Sequence, residues 1–208
     1  MKMALIGATG YVGAKLMAEA LARGHHVTAI ARNANGLPPG QANLTVAKVD
    51  ATDAAALAGV AVGHDLVISA FNPGLDAAGT GTLAIIDGVK RAGVGRLLVV
   101  GGAGSLYLPS GQRVVDQPDF PAEWKEGALR TAAFLDQLRN EKELDWVFLS
   151  PAAELVPGER TGQYRIGKDQ LLTDAEGASR ISLQDYAVAM LDEAEHPRHH
   201  RERFTVAY

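Results

Sequence analysis

The sequence predicts an α/β fold, a doubly wound parallel sheet with helices on both faces. Three observations carry this reading. Short apolar runs alternate with stretches of helical length and period through most of the chain, the mark of successive βαβ units. A glycine-rich turn, "GATGYVG" at residues 7–13, joins the first strand to the first helix. Right-handed crossovers then leave one natural strand order, 3-2-1-4-5-6 with an added edge strand.

Each element has a local cause. Lys2–Ile6 reads as a buried strand, and residues 11–23 as a helix with Val12, Leu16, Ala20 and Leu21 near the 3.6 period. Gly24 closes that helix. His26–Ala31 is a second strand, followed by a loop over 33–43 broken by Pro38-Pro39-Gly40. A third strand spans 44–49, Thr52 or Asp53 caps a short Ala-rich helix, and a fourth strand spans 65–70. Longer units follow: a helix over 80–92, a strand Arg96–Val100 ending in Gly101-Gly102, and a Pro- and Gly-rich segment over 108–121. A helix over 122–142 leads to a strand at 146–149. Regularity then fails until Ser182, where Ser182 and Asp185 can cap a helix running to about Glu195. A last strand covers 204–207. The irregular stretch, 152–181, is read as a substrate-side insertion within one domain spanning 1–208.

Composition narrows the function classes. The 208 residues are 47% hydrophobic and 21% charged, with a net charge of −4 and no long run of one sign. A nucleic-acid partner, which needs a basic face, is not expected. With no cysteine, disulfides, thiolate nucleophiles and cysteine-bound zinc are excluded. Met1-Lys2-Met3 leads directly into a strand, without the apolar core of a signal peptide. The longest apolar stretches, such as 54–62 with its internal Gly59, are too short to span a bilayer. The expectation is a cytoplasmic protein, a monomer or homodimer, acting on a small molecule without a membrane partner.

The turn carries the first chemical signal. Gly7 permits a tight strand-to-helix turn, Gly10 lets the backbone approach a pyrophosphate, and Gly13 lets the helix pack closely on the sheet. The helix N-terminus then offers free N–H groups and partial positive charge to phosphates. The spacing is G-x-x-G-x-x-G, one residue longer in its first gap than the commonest dinucleotide fingerprint. A Rossmann-type dinucleotide site is expected. At the end of the second strand, "AIARN" places Arg32 where NAD-binding chains usually carry an acid. A guanidinium there suits a 2′-phosphate, so NADP(H) is preferred, with NAD(H) possible.

In order, "GATGYVG", "AIAR", "KVDATD" and "VISAFN" resemble the short-chain dehydrogenase/reductase superfamily in its extended and atypical branches. The nearest likeness is to NAD(P)H-binding, NmrA-like and NADH-flavin-reductase or biliverdin-reductase-B-like proteins. It covers nearly the whole chain, including "GQYRIGKDQLL" and "SRISLQDYAVAMLDEAEHP". The resemblance implies that Thr9, Tyr11 and Val12 join the loop glycines in binding cofactor. It places Asp50 and Ala51 beside the adenine and has Ser69, Ala70 and Phe71 line the adenine ribose. Gly101 and Gly102 would lie on the nicotinamide side, and residues 151–153 near the carboxamide.

The likeness fails at the acid. Catalytic members use a Tyr-x-x-x-Lys pair in which the lysine lowers the tyrosine's pKa for proton transfer. Counting back from Leu149-Ser150-Pro151, those positions fall near Trp124 and Ala128, neither of the right type. Tyr164 and Lys168 have the spacing, but they follow the sixth strand and enclose Gly167, which weakens a helix. They read either as a dyad or as a loop tyrosine and a surface lysine. Ser105, in "GGAGSLY", is a second candidate for orienting acceptor or nicotinamide, or else a turn serine satisfying its own backbone; Tyr107 reads either as a wall of its pocket or as packing. His196, His199 and His200 sit among arginines without an acidic or cysteine ligand set and read as a solvated turn. His25, His26, Trp146 and Phe148 read as structural.

A complete binding motif beside a missing acid suggests an NAD(P)H-dependent oxidoreductase of a flat conjugated acceptor, such as a flavin or quinone. Hydride can pass there by proximity alone. The alternatives are an NADP-binding redox sensor without turnover and a nucleotide-sugar epimerase or dehydratase.

Overall fold

A computed structural model describes residues 1–33, 35, 37, 40–76 and 78–208. The chain runs β1 (Lys2–Ile6), α1 (Gly13–Ala22), β2 (His26–Ala31), β3 (Leu44–Lys48), α2 (Ala54–Ala61) and β4 (Leu66–Ser69). It continues through α3 (Thr80–Arg91), β5 (Arg96–Val100), α4 (Ala122–Asn140) and β6 (Asp145–Ser150). Three short strands follow, β7 (Glu154–Val156), β8 (Arg165–Gly167) and β9 (Arg180–Ser182), then α5 (Leu183–Glu195) and β10 (Glu202–Ala207).

The main sheet has the order β3-β2-β1-β4-β5-β6-β10-β8. All pairings are parallel except β10 with β8. Central strands β1 and β4 are apolar on both faces because both are covered. On one face α1 and α5 pack Leu16 and Tyr186 against Leu5, Ile68 and Phe204. On the other, α2, α3 and α4 bring Leu57, Ile85 and Phe134 onto Ile6, Val67 and Phe148.

The expected strand order holds, with two differences at the edge. Two strands are added there instead of one, β10 parallel and β8 antiparallel. The stretch 152–181 is also more regular than its sequence suggests: β7 pairs with β9, and β8 joins the main sheet. Three-residue strands are too short for a period-2 alternation to show. What orders them is distant. Asp185 accepts hydrogen bonds from the Thr161 hydroxyl at 2.6 Å and the Gly162 amide at 2.7 Å.

Capping follows the sequence in part. Asp53, not Thr52, caps α2, its carboxylate accepting from the Ala56 amide at 2.9 Å. Ser182 caps α5 through the Asp185 amide at 2.9 Å. Asp185 does not return the bond as a capping box would, because its carboxylate takes Thr161, Gly162 and the Tyr208 hydroxyl. Helix α1 begins at Gly13, two residues later than expected, because Tyr11 and Val12 belong to the turn. Pro38 and Pro39 of the expected loop breaker lie outside the described residues. Among the described residues no helix is long and apolar enough to cross a membrane.

Candidate functional site

The glycine turn sits at the carboxyl end of β1, and its three glycines have three different reasons to be there. Gly7 has φ +75°, and its amide donates to the Ile30 carbonyl at 2.9 Å, holding the turn against β2. A Cβ on residue 13 would lie 2.0 Å from the Gly7 carbonyl oxygen, so α1 could not seat on the turn with any side chain there. A Cβ on residue 10 would meet only that same oxygen, at 3.2 Å. Among the described residues the amides of Tyr11, Val12 and Gly13 donate to no acceptor, and the first turn of α1 carries no acid. This leaves free N–H groups at a positive helix end, which is what a pyrophosphate requires.

In front of the turn lies a cleft of about 280 Å³ between the ends of β1, β2, β3 and β4. It brings together Gly7, Thr9, Gly10, Arg32, Asp50, Ala51, Ala70 and Phe71 from the expected set. Arg32 is exposed and makes no hydrogen bond or ion pair among the described residues. Asp50 accepts from the Thr52 amide and hydroxyl at 3.0 and 2.9 Å. Those bonds, with the nearby Arg32 charge, hold its carboxyl below the usual carboxylate range.

Asn72, Leu75 and Asp76 also line the cleft and were not expected. Asn72 turns the chain after β4 by accepting from the Gly74 amide at 2.9 Å. Asp76 accepts from the Gly81 amide at 2.7 Å, at the start of α3. An Asn-Pro-Gly run directly after a strand was the available signal.

Other expected residues stand elsewhere. Ser69 is fully buried, its hydroxyl accepts from the Phe71 amide at 3.4 Å, and it does not line the cleft. Tyr11 leans outward, its hydroxyl 3.5 Å from the Leu155 carbonyl, so it joins the glycine turn to the 152–181 stretch. Val12 is the N-cap of α1 and packs on the core. Gly101 and Gly102 are half-buried past the end of β5. A Cβ on residue 101 would strike the Phe148 ring at 2.3 Å, so that glycine is required by packing. Pro151 and Ala152 are buried, and the Ala153 amide donates to the Ser179 hydroxyl at 3.1 Å.

The two expected catalytic side chains stand in different surroundings. The Ser105 hydroxyl donates to the Gly102 carbonyl at 3.3 Å and accepts from buried Arg203 at 3.1 Å. Ser105 lines a different cavity, of about 410 Å³, with Tyr107, Arg113 and Asp136, and shares none of the dinucleotide cleft. Tyr164 donates to Asp192 at 2.6 Å, and Asp192 also pairs with Arg23, the C-cap of α1. Ten helical residues, about 15 Å of rise, separate that end of α1 from the glycine turn. Burial and the Asp192 carboxylate push the Tyr164 phenol up, the wrong direction for a proton donor near neutral pH. Lys168 is exposed just past β8. Spacing alone suggested this pair, and the fold does not bring it to the cleft.

The histidines are structural: His199 bonds Glu193 at 2.8 Å and stacks on Phe204, and His25 bonds Glu195 at 2.7 Å. Among the described residues no cluster could hold a metal ion.

Comparison with known proteins agrees with this geometry. The model of the NAD(P)H-binding family matches residues 7–194. A structure from Bacteroides thetaiotaomicron, named as a candidate epimerase, is 50% identical with a TM-score of 0.95, covering 100% of this chain and 96% of that one. One from Burkholderia pseudomallei, named as a candidate exported protein, is 43% identical with a TM-score of 0.90, covering 100% of both chains. One from Streptococcus pneumoniae, named as a candidate NADH-flavin reductase, is 38% identical with a TM-score of 0.86, covering 100% and 99%.

Proposed function

The chain belongs to the NAD(P)H-binding family, and from that premise we propose that it is an NADPH-preferring reductase of a flat conjugated acceptor such as a flavin or quinone. The observation that carries this is a pairing. Among the described residues, a turn with three free amides and an unpaired strand-end arginine line a cleft to which no tyrosine contributes. The cofactor, when bound, supplies a hydride. The chain's own part is to hold and orient. The amides of Tyr11, Val12 and Gly13 take the pyrophosphate, and Arg32 takes the 2′-phosphate. Gly101, Gly102 and residues 151–153 border the nicotinamide side, and the 152–181 stretch walls the acceptor.

An acceptor whose ring can be protonated by water needs no phenol from the protein, so catalysis reduces to bringing two flat systems together. The resemblance to a Streptococcus pneumoniae protein named for flavin reduction supports this reading. Epimerisation, suggested by the name of the Bacteroides protein, requires groups that move protons at the substrate carbon or hydroxyl. Trp124 and Ala128 supply neither. Steady-state oxidation of NADPH with FMN, FAD and simple quinones tests the proposal. Turnover with one of them is expected. Micromolar NADPH binding with no turnover on any acceptor would overturn it in favour of a cofactor-sensing protein.

A further inference from the structure

Helix α4 turns one stripe of side chains toward the sheet. Ala128, Thr131, Leu135 and Leu138 all lie within about 40° of Trp124 around the helix axis. Leu135 and Leu138 are buried. Thr131 abuts Gly102 and Ala128 abuts Gly104, so close that a Cβ on either glycine would come within 3.1 and 2.9 Å of them. The next position up this stripe is Trp124, in the first turn of α4, yet it is 65% exposed. A residue on the inward stripe of a packed helix is exposed only where the helix overhangs the sheet. Trp124 thus stands one turn beyond Ala128, on the side of α4 that packs on Gly102 and Gly104.

The neighbouring turn is equally apolar and equally uncovered. Gly127 packs against Gly74, where a Cβ would come within 3.1 Å of its Cα, and Arg130 donates to the Gly74 carbonyl at 3.2 Å. The adjacent Leu75 is 82% exposed and lines the dinucleotide cleft. An exposed indole in the first turn of α4 and an exposed leucine in the turn after β4 thus lie on segments that pack together through Gly127 and Gly74.

We propose that Trp124 is the stacking platform that holds the flat acceptor, with Leu75 beside it. This rests on the reductase reading. An aromatic ring presented without a hydrogen-bonding partner favours large π-systems over small carbonyl compounds, so the preferred acceptors are polycyclic. Trp124 is a positioning residue, and its removal should weaken acceptor binding while leaving dinucleotide binding alone.

The chain suits a direct test, because its only other tryptophan, Trp146, is buried. FMN is titrated into the protein saturated with NADP+, following quenching of tryptophan emission, with calorimetry as a second readout. Wild type should bind FMN with quenching of the exposed tryptophan. Trp124→Ala should lose about tenfold or more in FMN affinity, roughly 1.4 kcal/mol, and raise the KM for FMN with kcat little changed. Trp124→Phe should recover most of the loss, and all three proteins should bind NADP+ alike. FMN binding by Trp124→Ala equal to wild type would overturn the proposal, as would wild type that reduces a quinone but does not bind FMN; in either case a reductase with turnover still stands. FMN binding that depends on Trp124 without any NADPH oxidation would support the platform and remove the reductase reading.

Discussion

Arg160 reaches back 141 residues along the chain to Glu19, donating from Nε at 2.8 Å and from Nη2 at 2.7 Å. Glu19 also accepts from Arg23 at 2.8 Å, and Arg23 goes on to Asp192 and Glu195. One buried carboxylate therefore ties the stretch after β7 to α1, and through Arg23 to α5. The stretch after β7 is fastened to the same helix that follows the glycine turn.

Replacing Glu19 by Gln should destabilise the protein by about 1–3 kcal/mol at neutral pH, since it leaves Arg23 and Arg160 without their shared anion. The hydrogen bond from Arg160, reinforced by Arg23, holds the Glu19 carboxyl below the usual carboxylate range. A depressed folded-state pKa gives stability that is present above the unfolded value, about 4.3, and is lost as pH falls through the folded one. The gap between wild type and Glu19→Gln in urea melts should therefore close in acid. A gap of equal size at pH 7 and in acid would show that the ion pair is not its source. Amide exchange at residues 158–162 should quicken in the variant.

Tyr164→Phe and Ser105→Ala should leave NADPH oxidation within about twofold of wild type, because the Tyr164 hydroxyl is held by Asp192 and the Ser105 hydroxyl by Gly102 and Arg203. Tyr164→Phe removes one hydrogen bond to a carboxylate, worth about 1–3 kcal/mol. The raised phenol pKa sets the sign: this stability is complete below the unfolded phenol's pKa of about 10 and is lost as pH rises toward the folded value. Ser105→Ala leaves Arg203 its bonds to the Ser105 carbonyl and Asp169 and should cost little stability. A drop in kcat of a hundredfold for either variant, with the melting temperature unchanged, would return that residue to the chemistry.

The parts legible in the sequence are those with local causes. β1, the glycine turn and β2 could be read because strand period, glycine spacing and a strand-end arginine lie within a few residues of each other. The same holds for the Asp53 and Ser182 caps. The surroundings of Tyr164 and Ser105 were not legible, because their hydroxyls bond Asp192 and Arg203, which lie 28 and 98 residues away. Ser69 was assigned to a ribose from resemblance, and the pleat of β4 turns it under the loop. The order in 152–181 is set by Glu19 and Asp185, and no window of sequence contains both partners. Trp124 was noticed only as a missing tyrosine; its value as a surface becomes visible once α4 is seated on Gly102 and Gly104.

Two glycines of one motif should fail in different ways. Gly10→Ala adds a methyl group whose only protein neighbour is 3.2 Å away, so the melting temperature should stay within about 3 °C of wild type. In the proposed site this methyl group would stand against the pyrophosphate, and NADPH affinity should fall by about tenfold or more. Gly13→Ala forces its methyl group against backbone at 2.0 Å, prising α1 from the turn, and should cost about 1–3 kcal/mol or more in stability. Thermal melts paired with NADPH titrations separate the two. Equal losses of stability in both variants would contradict the distinct roles given to them.

Under the proposed function, cofactor choice is expected to turn on Arg32. It stands at the end of β2, exposed, without an ion pair among the described residues, and close enough to Asp50 for its charge to favour that carboxylate. Arg32→Ala should weaken NADPH by about 10- to 100-fold and leave NADH within about twofold. Arg32→Lys should restore part of the NADPH affinity, since an ammonium keeps the charge but loses the two-pronged geometry. Wild-type affinity for NADPH should fall as salt is raised, and the alanine variant should lose most of that dependence. Competitive titration of both nucleotides at low and moderate salt measures all of this. An NADPH-to-NADH ratio unchanged in Arg32→Ala would mean that the 2′-phosphate is held by another group, and that the arginine at the end of β2 is solvated surface.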